Sequence, residues 1–443
     1  MKRIISILLV VMLLFGMCIT TNAQFNIPEY VRIGLFYNST SKQALTISGD
    51  NVTVNNESFE TISGNSFSIG IGDSGFLIND VLYQVNCLEF VSENNVIKVD
   101  DKPYRGFIRL LLTDKGITVV NCVNLEEYLC GVVPLEMSTG WPIEALKAQA
   151  VCARTYAVTQ LGKFEQYGFD LTDNTLSQVY GGINAEKEDC TNAVMETKGM
   201  VATYNGKIAE VFYFATSSGT TLDVKDVWGS TTYPYLVPVD DSLQSNVIKD
   251  NGKWTVKYTN KELTELFNRK GLELGDIIDV NVDEYNKQGA VMKLTFSGVN
   301  DSKTYTLGKT RDVLSLKSQT YTISKLTDNG NKSKLSVLSA SGYETCDLEL
   351  AVLSSAGTEF VTKKVNIISK DSNHIVESND GEFKGIEITG YGYGHGIGMS
   401  QNGAKALANS GYTYEQIIKH YFTGVEVQSV QQEEQLNDRM EAF

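Results

Sequence analysis

The chain has 443 residues, of which 38 are basic and 53 are acidic, so its formal net charge is −15. This acidic balance is the opposite of the positive surface that nucleic-acid binding requires, and we expect no nucleic-acid partner. Hydrophobic residues make up 42% of the sequence, which also contains 22 tyrosines. Such a composition is typical of a folded, strand-rich protein, and the length predicts two or three domains.

Residues 1–23 have the pattern of a secretory signal. Lys2 and Arg3 precede an apolar run at residues 4–19, and small or polar residues follow up to Ala23. We therefore predict an extracytoplasmic protein that is secreted after cleavage of this segment. Because the apolar run approaches the length that spans a bilayer, an uncleaved N-terminal membrane anchor is the alternative.

The cysteines and histidines give no sign of a metal site. Three histidines and six cysteines follow the signal, and no two cysteines form a C-x-x-C pair. We expect most of these cysteines to be buried as small apolar side chains, although an exported chain permits disulfides whose pairing the sequence does not give. No metal and no cofactor are expected.

The first hundred residues read as short strands separated by turns. Strands are predicted within residues 24–104, and a hairpin with its turn at Lys115-Gly116 is predicted within residues 105–123. Residues 24–104 carry no pattern that indicates chemistry. We therefore expect this region to be structural.

The stretch from Asn124 to Tyr156 predicts two helices around an acidic residue. Asn124 and Glu127 form a capping-box pattern, which predicts one or two helical turns over Leu125–Leu129. A long alanine-rich helix follows, with Thr139 or Gly140 as its cap and Pro142 in its first turn. We expect its alanines to be buried, because they form a small-residue surface that is suited to close packing.

Glu136 falls at the junction of these two helices, among apolar residues. A carboxyl group in such a junction is desolvated, which favours its protonated form and suits a general acid. The alternative interpretation of Glu136 is a helix cap or an ion-pair partner.

The remaining elements complete an α+β fold. We predict mixed or antiparallel β-sheets, a central alanine-rich helix and a β-rich insertion. The predicted elements in chain order are a helix at 190–199, a hairpin around Asn205-Gly206, a helix at 260–269, strands at 277–282, 290–296 and 386–389, and helical structure at 402–422.

Two polar motifs stand out from this background. Gln178-Val179-Tyr180 precedes two glycines, and glycines alternate through residues 390–398 around His395. The glycine run leaves backbone open to the approach of a polymer or a strand, but it lacks the register of a phosphate-binding loop. Ser400 and Gln401 begin the next helix, and Ser400 is typical of a cap because no G-x-S-x-G elbow surrounds it.

Several ordered strings resemble the stage II sporulation protein D family, which includes the amidase-enhancer (LytB-type) proteins. The strings cover roughly residues 105–241, 290–320 and 390–427. They include Leu-Glu-Glu-Tyr-Leu, Gly-Val-Val-Pro, Glu-Met, Glu-Ala-Leu-Lys-Ala-Gln-Ala-Val, Ala-Arg-Thr-Tyr-Ala and Gly-His-Gly-Ile-Gly-Met-Ser-Gln.

The resemblance implies a peptidoglycan lytic transglycosylase in which Glu136 is the catalytic acid. It also implies that substrate is held by Gln178, Tyr180, His395, Ser400 and Gln401. Some members bind a metal just before the equivalent of Gln178, but Leu176 and Ser177 occupy those positions here. The implied partners are peptidoglycan glycan strands, in sporulation or cell-wall remodelling.

Two alternatives stay open beside this function. A hydrolase would need a second carboxylate, for which Asp226, Asp240 and Asp241 are available. A non-catalytic wall-binding protein would instead enhance a partner N-acetylmuramoyl-L-alanine amidase.

The resemblance also suggests how the chain is divided. We predict a signal peptide, a β-rich N-terminal region, a catalytic module in two segments, a β-rich insertion and a polar C-terminal tail. The respective bounds are 1–23, 24–104, 105–327 with 383–427, 328–382 and 428–443.

Overall fold

A computed structural model describes residues 26–56, 58–244, 252–327 and 382–433, and the backbone of six short strands between residues 334 and 377. The chain forms two compact units. The first contains Met1–Asp223, Thr231–Gln244 and Ile397–Phe443, and the second contains Val224–Ser230 and Ser245–Gly396. Helices and mixed or antiparallel sheets confirm the predicted α+β class. The predicted signal lies outside the described residues.

The strands are numbered in chain order: β1 Asn26–Pro28, β2 Tyr30–Phe36, β3 Ala44–Asn55, β4 Ile62–Gly72, β5 Gly75–Ile78, β6 Val81–Tyr83, β7 Cys87–Val91, β8 Val96–Val99, β9 Lys102–Arg105, β10 Phe107–Thr113, β11 Gly116–Asn124, β12 Leu171–Thr172, β13 Met200–Tyr204, β14 Lys207–Ile208, β15 Tyr213–Phe214, β16 Lys253–Thr259, β17 Ile277–Tyr285, β18 Val291–Gly298, β19 Ser302–Thr306, β20 Tyr321–Thr327, β21 Lys334–Ser339, β22 Gly342–Asp347, β23 Ala351–Ser354, β24 Gly357–Phe360, β25 Lys364–Ile368, β26 Asn373–Glu377, β27 Phe383–Tyr391, β28 Met399–Ser400, β29 Glu426–Ser429 and β30 Gln431–Glu433.

The α-helices of the described residues are α1 Leu125–Glu136, α2 Ile143–Thr159, α3 Glu188–Glu196, α4 Val224–Trp228, α5 Asn260–Arg269, α6 Lys309–Asp312, α7 Gln401–Asn409 and α8 Tyr414–Tyr421. Short 3₁₀ turns lie at Asn38–Thr40, Glu165–Tyr167, Gly182–Ala185 and Ser242–Gln244.

An eleven-stranded sheet forms one side of the first unit. Its strands run in the order β12-β2-β11-β10-β7-β3-β4-β5-β6, with β8 and β9 paired beside β3. The predicted turn at Lys115-Gly116 is confirmed, because β10 and β11 pair antiparallel from Thr113 opposite Gly116. Strand β2 pairs with β11, so the N-terminal strands and this hairpin share one sheet.

Helix α1 is longer than the sequence predicted. Asn124 is confirmed as its cap, since its side chain accepts from the backbone N–H of Glu126. The capping box itself does not form, because Glu127 accepts from Asn95 instead. The helix also continues from Leu129 to Glu136. The apolar stripe continues through the fully buried Val132 and Val133, and this packing extends the helix. Pro134 removes one backbone donor, and the helix ends two residues after it.

Helix α2 begins at Ile143, directly after Pro142, which has extended backbone angles at the cap position. No side chain caps this helix, so the predicted cap at Thr139 or Gly140 was wrong. A proline there fixes its own φ and has no N–H that needs a partner, which allows the helix to start without a cap. The predicted close-packing surface is confirmed, because the following alanines are all fully buried: Ala145, Ala148, Ala150, Ala153 and Ala157.

A buried ion pair ties these helices together. The guanidinium of Arg154 on α2 donates to both carboxylate oxygens of Glu126 on α1, and their side chains are 0% and 2% exposed. Arg154 also donates to the carbonyls of Val194 and Met200, and Glu126 accepts from the N–H of Gly199. The pair therefore holds α1, α2, α3 and the start of β13 in one arrangement.

The second unit has its own core between two small sheets and a helix. One sheet has the order β16-β27-β20 and the other β17-β18-β19, and helix α5 packs with them. The predicted α5 is confirmed, with Thr259 and Glu262 forming a capping box. The core includes Leu263, Phe267 and Ile388, all fully buried. Strands β21 to β26 pair as three antiparallel hairpins.

Within the described ranges, no helix is both long enough and apolar enough to span a bilayer. The five cysteines whose side chains are described carry free thiols, namely Cys87, Cys122, Cys130, Cys152 and Cys190. Four of these are buried, as expected for small apolar side chains.

The ion pair predicts a large stability effect. Glu126→Ala leaves the Arg154 guanidinium buried without its carboxylate, so we expect the free energy of unfolding to fall by about 3–5 kcal/mol. Urea unfolding followed by circular dichroism measures this change. Glu196→Ala is the matched control, because it removes an ion pair with Lys147 in which the Glu196 side chain is 56% exposed, and about 0–1 kcal/mol is expected. An equal effect of both substitutions would contradict the assignment.

Candidate active site around Glu136

Glu136 is the last residue of α1 and is partly buried. Three donors converge on its carboxyl group. The side-chain amide of Gln401 lies 3.2 Å from Oε2, and the Tyr213 hydroxyl and the backbone N–H of Val179 also form hydrogen bonds to it. These donors come from three segments far apart in sequence, which the fold brings to one carboxyl.

Parallel pairing of two short strands supplies two of these donors. In the β15–β28 pair, Tyr213 lies opposite Met399 and Phe214 opposite Ser400. Helix α7 starts immediately afterwards, because the fully buried Ser400 hydroxyl accepts from the N–H of Gly403 and caps it. The predicted helix start at Ser400 and Gln401 is confirmed. Gln401 is thus fixed in the first turn of α7, beside the strand that carries Tyr213.

A chain of hydrogen bonds orients the Tyr213 hydroxyl. The Gln178 amide nitrogen donates to it at 2.8 Å and to the Ala153 carbonyl at 3.4 Å, while the Tyr128 hydroxyl donates to the Gln178 oxygen at 3.4 Å. Because Gln178 is the donor, the Tyr213 hydroxyl proton is free to point at Glu136. Gln178 therefore orients the Tyr213 hydroxyl, and the Gln178 side chain itself is only 1% exposed.

Burial raises the pKa of Glu136 above its ordinary value. The hydrogen bonds from Gln401, Val179 and Tyr213 lower the pKa and oppose this effect without cancelling it. The groups that set the pKa of Glu136 among the described residues include no second carboxylate. The proton of Glu136 is therefore retained to higher pH than that of an exposed glutamate.

Two helix ends add to this balance. The carbonyl end of α1, at which Glu136 lies, carries partial negative charge and favours the protonated carboxyl. The amino end of α7, where Gln401 lies, carries partial positive charge and favours the carboxylate. The arrangement suits a group that gives up a proton and then takes one back.

Gln149 on α2 is a second buried amide beside this carboxyl. Its side chain is 0% exposed, and its oxygen lies 3.5 Å from the same Gln401 nitrogen that donates to Glu136. Its own side-chain nitrogen is buried without an acceptor among the described residues. A buried donor in this state costs stability, typically about 1–3 kcal/mol.

The other predicted site residues lie in different surroundings. Tyr180 is 3% exposed and its hydroxyl donates to Asn121, while the Ser400 hydroxyl contacts Gln244. His395 belongs to the second unit, where its ring packs against Trp228 with centroids 5.3 Å apart. The substrate contacts of Gln178, Tyr180, His395, Ser400 and Gln401 stay predictions.

The three candidate second carboxylates have structural contacts. Asp226 belongs to the second unit and accepts from Asn286, and exposed Asp240 accepts from Ser242. Asp241 is 3% exposed and accepts from Ser217 at 2.7 Å, from Tyr421 at 2.6 Å and from Gln244. Its pKa is raised by burial, which its hydrogen-bond donors oppose. This carboxyl links α7, α8 and the loop at Ser217.

No group of three or more His, Cys, Asp or Glu side chains in the described part of the chain is placed to hold a metal ion.

Sequence reasoning missed Tyr213 and Gln149. The signal for Gln149 was available, since it is a polar residue among the alanines of α2 that were predicted to be buried. Tyr213 had a weaker signal, a single phenol in a short apolar stretch before Ala215. Its role depends on the pairing with β28, which local sequence does not reveal.

Comparisons with known proteins agree on one family. Residues 113–204 match the family model described as stage II sporulation protein, SpoIID. The amidase enhancer of Bacillus subtilis (strain 168) is 30% identical over 396 residues, which cover 84% of this chain and 51% of that protein.

Two proteins named stage II sporulation protein D are also similar, each 28% identical and each covering 70% of this chain and 75% of the relative. They come from Bacillus amyloliquefaciens and Bacillus subtilis (strain 168). This chain therefore spans about half the length of the amidase enhancer and three quarters of the other two relatives. The matched stretch 113–204 contains Glu136, Gln149 and Gln178 but neither Tyr213 nor Gln401.

The raised pKa of Glu136 predicts a pH-dependent stability difference. The folded state holds this proton to higher pH than the unfolded state does. The contribution of Glu136 to stability is therefore fully present below the ordinary carboxyl pKa, and it is lost as the pH rises through the raised pKa. Glu136→Gln removes the titration. We expect the variant to gain stability relative to wild type on going from pH 4 to pH 8.

Urea unfolding at the two pH values measures this difference, and Glu188→Gln, at an exposed position on α3, is the control. A gap between Glu136→Gln and wild type that stays constant with pH would contradict the raised pKa.

The two buried glutamines predict opposite outcomes for the same substitution. Gln149→Met removes an amide whose nitrogen has no acceptor, so we expect the free energy of unfolding to stay within about 0.5 kcal/mol or to increase. Gln178→Met removes an amide with three hydrogen bonds and leaves the hydroxyl of Tyr128 without its acceptor, at a cost of about 1–3 kcal/mol. Urea unfolding of both variants tests the contrast, which equal losses would refute.

Proposed function

Because this chain belongs to the stage II sporulation protein D family, we propose that it is a peptidoglycan lytic transglycosylase with Glu136 as its general acid and base. The bond cleaved is the glycosidic bond between N-acetylmuramic acid and N-acetylglucosamine. No cofactor takes part. The observation that carries the proposal is the partly buried carboxyl of Glu136, whose pKa is raised by burial.

One carboxyl is enough for this reaction. Protonated Glu136 gives its proton to the glycosidic oxygen, and the bond from that oxygen to C1 of muramic acid breaks. The conjugate base then takes the proton from the C6 hydroxyl of the same sugar, and O6 bonds to C1. The product is a 1,6-anhydro-muramoyl end, no water is consumed, and Glu136 is again protonated.

The donors around Glu136 fit its two states. A raised pKa keeps the acid protonated before the reaction, as general acid catalysis at neutral pH requires. Once the proton has left, Gln401, Tyr213 and the Val179 N–H stabilise the carboxylate through the hydrogen bonds that they already form. An acid with these fixed donors changes its charge with little rearrangement.

No carboxylate among the described residues contributes to the pKa of Glu136, which argues against a retaining glycosidase. A retaining glycosidase needs its second carboxyl about 5–5.5 Å away, and an inverting one needs it about 6.5–9.5 Å away. At the shorter distance, a second carboxylate in a partly buried site would raise the pKa of Glu136 by repulsion.

A second function is favoured by one observation, the similarity to a protein named amidase enhancer. In this alternative the chain binds peptidoglycan without cleaving it and enhances a partner N-acetylmuramoyl-L-alanine amidase, and Glu136 is a fold residue. Either function acts on the cell wall, in sporulation or in wall remodelling. The proposal therefore includes an extracytoplasmic location, with the protein secreted or held by its N-terminal segment.

Mass spectrometry of digested peptidoglycan tests the proposal. Purified glycan, with and without stem peptides, is incubated with wild type, Glu136→Gln and the exposed-site control Glu188→Gln. We expect anhydro-muramoyl ends from wild type and from the control, and a loss of at least about 100-fold with Glu136→Gln, because the proton donor is removed.

Three outcomes would contradict this proposal. Reducing ends from wild type would indicate a hydrolase and a second carboxylate. Equal activity of Glu136→Gln would remove Glu136 from the reaction. No product from wild type on any glycan, together with increased activity of an added amidase, would support the enhancer function.

A further inference from the structure

Trp228, Tyr391 and Tyr393 are three of the four large aromatic side chains that are exposed at the surface of the second unit, the fourth being Tyr285. Trp228 is 43% exposed, Tyr391 is 38% and Tyr393 is 56%, whereas the same unit encloses Trp254 and Tyr321. Exposed rings that cluster mark binding surfaces more often than isolated ones do, because burying them is favourable. The question is whether these three lie together.

Backbone contacts join the segments that carry them. The side chain of Gln319 donates to the carbonyl of Asp226 in α4, the helix that ends with Trp228. The N–H of Tyr391 donates to the Thr320 carbonyl at 3.0 Å, and the N–H of Gly394 donates to the Lys317 carbonyl at 2.8 Å. Segment 317–320 is therefore bonded to α4 on one side and to segment 391–394 on the other.

Polar groups lie beside these rings. The imidazole of His395 packs against Trp228 with centroids 5.3 Å apart, and the Lys317 ammonium lies 5.9 Å from the centre of the Tyr393 ring. Lys317 forms no ion pair with any residue that the structure describes. In a chain of net charge −15, a lysine in this position offers an anionic ligand a charge that no described carboxylate neutralises.

The side chains of this surface, which we call the aromatic face, are Trp228, Lys317, Tyr393 and His395, and the backbone of Tyr391 is bonded beside them. They offer rings, one imidazole and one ammonium rather than aliphatic groups. Rings with polar edges suit a sugar, whose C–H face stacks while its hydroxyls form hydrogen bonds. A membrane surface would call for several basic residues beside Leu or Phe, and a stable protein interface for an apolar centre.

We propose that the aromatic face binds the glycan strand of peptidoglycan, with Trp228 and Tyr393 stacking on sugar rings and Lys317 pairing with the carboxylate of a muramic acid. The inference rests on the proposed function in one respect, the identity of the polymer. Binding at the aromatic face is otherwise independent of the proposed reaction, because it requires no bond cleavage and no contribution from Glu136.

Binding of two defined sugars to the full chain tests the inference. All proteins carry Glu136→Gln, so that the sugars are not consumed. The probes are chitohexaose, which is neutral, and a tetrasaccharide of alternating N-acetylglucosamine and N-acetylmuramic acid with free lactyl carboxylates. Isothermal titration calorimetry gives the dissociation constants.

We expect Trp228→Ala and Tyr393→Ala to weaken binding of both sugars by about 3- to 10-fold, because each removes a stacking ring. Lys317→Ala should weaken binding of the tetrasaccharide alone, since chitohexaose has no carboxylate. Val299→Ala and Lys303→Ala alter exposed positions elsewhere in the second unit and should change neither constant. Trp228→Leu is a second variant, which keeps an apolar side chain but removes the ring. It separates the loss of stacking from a loss of folding that Trp228→Ala could cause.

Unchanged constants in all the aromatic-face variants would overturn the inference. The inference would also be overturned if the aromatic-face variants kept their affinity for sugar but lost binding to phosphatidylglycerol vesicles. That result would assign the face to a membrane. The proposed function fails on a different result, namely that wild type yields no anhydro-muramoyl ends. If sugar binding still depends on Trp228 and Tyr393 in that case, the aromatic face binds glycan and only the transglycosylase activity is ruled out.

Discussion

The buried ion pair between Arg154 and Glu126 is the contact on which the helices of the first unit depend. Its guanidinium reaches carbonyls of α3 and β13, and its carboxylate accepts from the turn between them. Pairing alone does not make a buried charge stabilising, but removing one partner leaves the other without compensation. This requirement fixes α1 against α2. Glu126 lies in the first turn of α1, and Glu136 is its last residue.

The site at Glu136 keeps groups that do not serve stability. Burial makes its charged form unfavourable, and the neighbouring Gln149 has a buried donor without an acceptor. Both features lower the stability of the folded protein, and both lie beside the same Gln401 amide. Polar groups retained at such a cost are typical of functional sites, where an optimal core would carry apolar side chains.

The sequence singled out Glu136 but did not reveal its surroundings. The string around Glu136 and the Ser400–Gln401 helix start are local patterns, and each was predicted correctly in position. The length of α1 was underestimated, because the capping pattern marks only the start of the helix, while packing of Val132 and Val133 extends it. The Tyr213 hydroxyl contacts Glu136 because β15 pairs with β28. These two strands are far apart in sequence, so local sequence patterns do not reveal the contact.

The glycine run at residues 390–398 shows how one pattern permits two explanations. It was interpreted as backbone left open for a polymer, yet a Cβ at Gly390 would lie 2.1 Å from the Trp254 ring, and one at Gly398 would lie 2.2 Å from the Phe212 carbonyl. Packing against the chain itself therefore requires glycine at these two positions. Two of the residues between them, Tyr391 and Tyr393, are instead exposed. The glycines hold the backbone in place, and the proposed contact with sugar falls to the side chains that alternate with them.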